Sequence, residues 1–110
     1  MTAFLIMHRH EITDPGKLKE YRKGVNDTIA RHGGKVLARQ DGFEVLEGDW
    51  NPGTRGDDSD PERVTVIQFP DMAALKEWYD SDDYEPFKKI RTTSSVADVI
   101  AVDGGVHEGE

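Results

Sequence analysis

Ala3-Phe4-Leu5-Ile6-Met7-His8-Arg9-His10 is a short run dominated by Phe, Leu, Ile and Met, and it reads as a strand. Side chains alternate across a strand, so Phe4 and Ile6 share one face while Leu5 and Met7 share the other. A strand that is apolar on both parities belongs to a sheet that must bury both faces. Next comes Thr13-Asp14-Pro15, a helix start: Thr13 or Asp14 caps, and Pro15 suits a first turn whose N–H needs no partner. Leu18, Tyr21, Val25, Ile29 and His32 then recur at three- and four-residue spacing, one face of an amphipathic helix, which Gly33-Gly34 ends.

Further along, Lys35–Gln40 is a second strand, Asp41-Gly42 a turn or bulge, and Phe43–Gly48 an extended continuation. Asn51–Glu62 has no apolar residue and reads as a loop. Arg63–Phe69 is a strand of Val, Ile and Phe, again with apolar residues of both parities (Val64 and Val66, Ile67 and Phe69). Pro70 stops it and Asp71 caps a helix carrying Met72, Leu75, Trp78 and Tyr79. A short helix over Tyr84–Arg91 and a last strand over Val96–Val102 follow. The order β-α-β-β-α-β builds a ferredoxin-like α+β fold, a four-stranded antiparallel sheet with its helices on one face. The chain has nothing left to cover the other face, so a second copy is the expected cover, closing a dimeric α+β barrel. The domain is expected over residues 1–104, with a polar tail over 105–110.

The whole chain has 110 residues, 22 acidic against 14 basic, and a formal charge of −8. This balance excludes nucleic acid and anionic membrane surfaces as expected partners, because both need a basic stripe. The acid clusters in Asp57–Glu62 and Asp80–Glu85 read as solvated loops. Asp57-Asp58-Ser59-Asp60 lacks the glycine and distal glutamate of a calcium loop. Without cysteine, thiolate catalysis, disulfides and cysteine-held metal are excluded. No run approaches the ~18 apolar residues of a membrane span. Met1–Met7 is too short for a secretory signal, and His8-Arg9-His10 stands where a cleavage site would be. A cytoplasmic protein is expected.

Thr13-Asp14-Pro15, Glu20-Tyr21-Arg22, His32-Gly33-Gly34-Lys35, Leu37-Ala38-Arg39, Leu46-Glu47-Gly48-Asp49-Trp50, Phe69-Pro70 and Trp78-Tyr79-Asp80-Ser81 together resemble domain-of-unknown-function family 1330. The resemblance runs from about Ala3 to Gly104, and the strings Leu46–Trp50 and Tyr79-x-Ser81-x-x-Tyr84 are its most specific parts. It implies the dimeric α+β barrel, a fold shared with cofactor-free monooxygenases, muconolactone isomerase-like enzymes and some haem enzymes, but no particular reaction. The stretch Gly53–Asp60 is longer and more acidic than the family pattern.

Candidate chemistry rests on few residues. His8 and His10 fall on one strand face, roughly 7 Å apart; with Glu47 they would make a metal site, but two imidazoles alone make a weak one, so no metal and no cofactor is expected. Haem held by His8 or His10 would show as colour. Arg39 and Glu47 flank the Asp41-Gly42 turn. They read either as an arginine gripping a carboxylate or enolate with Glu47 or His8 as base, or as a cross-strand ion pair. Both are expected beside the dimer cavity. Trp50, Tyr79 and Tyr84 are candidates for an aromatic lining, against a core role for Tyr79. Arg91 is a further candidate anion ligand, or a cation favoured by the helix C-terminus. The functional expectation is a small-molecule-binding barrel, a cofactor-independent monooxygenase- or isomerase-like enzyme on a small carbonyl or aromatic metabolite. The alternative is a non-catalytic ligand-binding or structural homodimer.

Overall fold

A computed structural model describes residues 2–41, 44, 46–48 and 63–104. Strand β1 (Ala3–Ile12) leads into helix α1 (Pro15–Arg31), strands β2 (Lys35–Asp41) and β3 (Arg63–Phe69), helices α2 (Met72–Tyr79) and α3 (Glu85–Ser94), and strand β4 (Ser95–Asp103). The sheet order is β2-β3-β1-β4 with every neighbouring pair antiparallel, the ferredoxin-like arrangement. Of the expected extension over Phe43–Gly48, the described residues Glu44, Leu46, Glu47 and Gly48 carry no strand. No described helix is long and apolar enough to cross a membrane.

Local signals set the helix ends. The Asp14 carboxylate accepts from the Lys17 N–H at 3.2 Å, and Pro15 occupies the first turn. At the other end Gly33 takes φ +80° and the Gly34 N–H closes on the Ile29 carbonyl at 2.9 Å; only glycine reaches that φ without strain. Asp71 caps α2 through the Ala74 N–H at 2.7 Å. Ser81 organises the link to α3: its hydroxyl donates to the Trp78 carbonyl at 2.7 Å and accepts from the Tyr84 N–H at 3.2 Å. The Ser94 carbonyl accepts from the Thr13 and Asp14 N–H groups, tying the end of α3 to the start of α1.

The helices lie on one face of the sheet. Ala3, Leu5 and Met7 of β1 and Ile67 and Phe69 of β3 meet Val25, Ile29, Leu75, Trp78 and Tyr84 in the core. Fully burying each large apolar side chain contributes about 1.5–3 kcal/mol. Trp78 stacks on Tyr84 with ring centroids 4.0 Å apart and donates from its indole N–H to Thr28 Oγ1 at 3.0 Å, so its polar atom is satisfied inside the core. Phe4, Ile6, Val64 and Val66 have the opposite parity. With them lie Val96, Ile100 and Val102 of β4, which are 47%, 55% and 42% exposed. This outer sheet face has no described element of the chain across it.

Candidate functional site

At one end the inward sheet face stops being apolar. β1 runs Ala3, Leu5, Met7 and then Arg9, all facing the helices. β3 begins with Arg63 and Thr65 before Ile67 and Phe69. Arg9 and Arg63 stand directly opposite each other in the ladder, a like-charged cross-strand pair that by itself is destabilising. β2 adds Arg39 through an irregularity in its register: Val36 pairs with Ile67, but Ala38 pairs with Val66 and Arg39 with Thr65. The extra residue, Leu37, shifts the parity, so Val36 and Arg39 both face the helices. Helix α1 contributes Leu18, Tyr21, Arg22, Val25 and Ile29 at helical spacing, and the last turn of α3 contributes Arg91.

These residues enclose a cavity of about 50 Å³ between helices and sheet. Met7, Leu18, Val25, Ile29 and Ile67 make its apolar floor, and Thr65 and Ser95 add hydroxyls. Five of the chain's seven arginines line it: Arg9, Arg22, Arg39, Arg63 and Arg91. No lysine does, and among the described residues no carboxylate or imidazole does. Arg39 donates to the neutral Asn26 Oδ1 at 2.9 Å. Arg91, only 5% exposed, donates from Nε to the Tyr84 hydroxyl at 3.2 Å. The Tyr84 hydroxyl is in turn 3.2 Å from that of Tyr21, which lines the cavity.

The titration behaviour follows from this packing. Burial raises the Tyr21 pKa well above its ordinary 10.0; the neighbouring Tyr84 adds to the rise, and Arg91 and Arg39 oppose it. Tyr21 is therefore neutral at physiological pH, and its hydroxyl can donate or accept a hydrogen bond. Burial also pulls Arg39 below the usual arginine value; the Tyr21 oxygen opposes that, while the like charges of Arg63 and Arg22 add to it. Burial works against the Arg91 charge too, but the oxygens of Tyr84, Tyr21 and Tyr79 outweigh it, so the Arg91 pKa rises. Guanidinium groups above an apolar floor suit a small organic anion, since each presents planar, paired donors to a carboxylate or enolate.

Of the residues expected from sequence, Arg39 and Arg91 line this cavity, and Tyr84 stands behind it, fully buried. Arg39 faces the helices rather than the outer sheet face where a dimer cavity was expected, and its partner is Asn26, not Glu47. Glu47 is an exposed residue of a bend. His8 is on the outer face, its ring 3.9 Å from that of His10, whose Nε2 lies 2.7 Å from Asp98 Oδ2. Tyr79 lines a separate notch of about 200 Å³ between α2 and β4, its ring under Lys88 Nζ. Trp50 lies outside the described residues. Among the described residues no three potential metal ligands gather. Sequence reasoning missed Tyr21, Arg9, Arg22 and Arg63 as site residues. The available signal was Arg9 itself, a charge at the inward parity of Ala3, Leu5 and Met7.

Known structures share this architecture. The RPA0582 protein of unknown function from Rhodopseudomonas palustris superposes with a TM-score of 0.65 at 17% identity, covering 96% of this chain and 84% of that one. SnoaB, a cofactor-independent oxygenase from Streptomyces nogalater, gives 0.61 at 12% identity over 99% of this chain and 97% of its own. Rv0793 from Mycobacterium tuberculosis gives 0.55 at 12% identity over the whole of both chains, 100% each. At these identities the likeness is one of fold, the dimeric α+β barrel type. No curated protein matches the chain. Residues 2–105 match the family described as Domain of unknown function (DUF1330), and the chain belongs to that family.

Proposed function

We propose that the protein is a homodimer in which each subunit binds a small organic anion, the carboxylate, enolate or phenolate of a carbonyl or aromatic metabolite, in its helix–sheet cavity. We read it as a cofactor-independent enzyme of the monooxygenase or isomerase kind. The carrying observation is the cavity lining: five arginines converge there in a chain of net charge −8, and the partners of Arg39 and Arg91 are neutral oxygens. The Arg39 charge is opposed by burial and by Arg63 and Arg22, and an anionic ligand supplies the opposite charge. A cavity of about 50 Å³ takes the polar head and a few carbons of a ligand; typical drug-sized pockets are roughly 300–1,000 Å³. The fold of SnoaB, a cofactor-independent oxygenase, supports the enzymatic reading at the level of architecture. Homodimerisation is supported by the exposed Val96, Ile100 and Val102.

The test is a thermal-shift and calorimetric screen of small carboxylates, enols and phenols on the wild type and Arg39→Met. The expected result is stabilisation of the wild type that the variant loses while staying folded. Equal shifts in both proteins would remove Arg39 from the site. A second reading, a ligand-binding homodimer without catalysis, is favoured by the lack of a carboxylate or imidazole among the described lining residues. A bound ligand recovered unchanged after prolonged incubation in air would support it.

A further inference from the structure

The hydroxyls of Tyr21 and Tyr84 lie 3.2 Å apart, and either can donate to the other. Arg91 Nε is only ever a donor, so the Tyr84 oxygen accepts from it. That leaves Tyr84 its own O–H proton, and the Tyr21 oxygen lies 3.2 Å away to receive it. If Tyr84 donates to Tyr21, the Tyr21 proton must go elsewhere, and Tyr21 lines the cavity. With Tyr84 as the donor of the pair, the Tyr21 proton is free to face the arginine-lined space. A ligand oxygen that accepts from Tyr21 would favour this arrangement of the pair.

The lining also says what the site does not supply. No carboxylate or imidazole stands among its described residues, and Tyr21, kept neutral by burial, is a poor proton acceptor. Nothing described in the cavity removes a proton from a neutral ligand, while every charge that lines it favours a ligand that has lost one.

We propose that the cavity selects an acidic phenol or enol and binds it as the oxyanion, with Tyr21 donating a hydrogen bond to the charged oxygen and Arg39 beside it supplying the charge. The proposal rests on the reading of this cavity as the ligand site. The step is an ionisation: the ligand O–H bond breaks, its electron pair stays on oxygen, and the proton leaves to solvent water. No oxidant or reductant takes part. The protein shifts this equilibrium because the oxyanion gains guanidinium and phenol donors that the neutral ligand does not use equally. Tyr21 is thus an anion-binding residue, and Tyr84 and Arg91 position it.

The experiment uses the full chain with 4-nitrophenol, whose anion absorbs in the visible, and with benzoate as a ligand already ionised. Titrating bound 4-nitrophenol should show its ionisation constant raised about tenfold or more over the free compound, a drop of at least one pKa unit. Tyr21→Phe should bind but lose a large part of that shift, Arg39→Met should lose most of it, and Arg31→Met, outside the cavity, should keep all of it. Circular dichroism checks that each variant is folded. A bound phenol titrating at or above its free value, or a Tyr21→Phe variant matching the wild type, would overturn the proposal while benzoate binding left the anion site standing. Failure of both compounds to bind would overturn the anion site as well.

Discussion

The two faces of the sheet carry opposite anomalies. The inward face is covered by the chain's own helices, and at one end it encloses charge: Arg9 and Arg91 are 7% and 5% exposed. No described element covers the outward face, where apolar groups are exposed, with Ile100 at 55%. Three of its polar residues, His8, His10 and Asp98, gather in one cluster, with the His10–Asp98 contact at 2.7 Å. Part-buried like charge, as at Arg39, and bare hydrocarbon are each unfavourable alone. Under the proposed function, a small anion relieves the first and a second copy of the sheet face relieves the other. One sheet can meet both needs because side-chain parity keeps the two sets of residues apart, even for neighbours such as His8 and Arg9.

The sharpest way to break this contrast is to place one charge on each side at adjacent positions. Ile67 is 2% exposed and inward, and Val66 beside it faces outward. Ile67→Asp buries an unpaired carboxylate in the core and should cost more than about 4 kcal/mol, enough to prevent folding. Val66→Asp should fold and yield a monomer of 12.3 kDa, and the wild type should sediment as a dimer. Sedimentation and circular dichroism on the pair decide the matter. Two unfolded proteins, or a wild type that is itself monomeric, would end the assignment of the outer face to a partner.

A smaller effect comes from the helical layer over the inner face. A Cβ on Gly24 of α1 would stand 2.5 Å from Phe87 Cζ of α3. Gly24→Ala must push that ring aside, and overpacking of this kind costs typically 1–3 kcal/mol. Denaturant unfolding should show the loss without a change in oligomeric state, because Gly24 lies on the far side of the sheet from the outer face. Dissociation at unchanged stability would contradict the separation of the faces.

Tyr21 gives the inner face a pH dependence that the outer face does not share. Its folded pKa lies well above the unfolded value near 10.0, because burial disfavours the phenolate. The contribution is fully present below pH 10, and it declines as pH rises above 10 toward the folded pKa, at up to about 1.4 kcal/mol per pH unit for one group. Tyr21→Phe should flatten this part of the alkaline stability curve. Identical curves for the two proteins above pH 10 would show that the Tyr21 hydroxyl is not held in a desolvated site.

The fold was legible because its signals are local and repeated. Strand parity, the Asp14-Pro15 and Asp71 caps and the Gly33-Gly34 stop are each written within a few residues. The site was less legible because it depends on parity between strands. The irregularity at Leu37 turns Arg39 to the inner face, while the sequence signal for a turn or bulge sat further on at Asp41-Gly42. His8 drew notice as an imidazole, yet Arg9 beside it has the cavity-facing parity. Tyr21 looked like one more apolar position on α1, and only the hydroxyl contact with Tyr84 separates it from the core. The Arg9–Arg63 opposition needs the β1–β3 register, which no short motif states.

The smallest expected effect on stability is also the one that best separates a ligand site from structural packing. Arg39 is part-buried, its hydrogen-bond partner is neutral Asn26, and its charge is opposed by burial and by Arg63 and Arg22. In a protein built only for stability, removing a well-used arginine would cost energy. Here Arg39→Met deletes a repelled charge and keeps much of the aliphatic stem against the cavity wall. The change in unfolding free energy should lie within about 1 kcal/mol of zero and lean toward stabilisation, since one hydrogen bond to an exposed amide is lost against relief of like-charge repulsion. The stabilisation should shrink as salt rises, because salt screens the repulsion that the substitution relieves. Unfolding curves for both proteins at low and high ionic strength measure this directly. A loss of more than about 2 kcal/mol at both salt concentrations would mean that Arg39 is held by favourable native contacts and does not stand as a charge awaiting an anion.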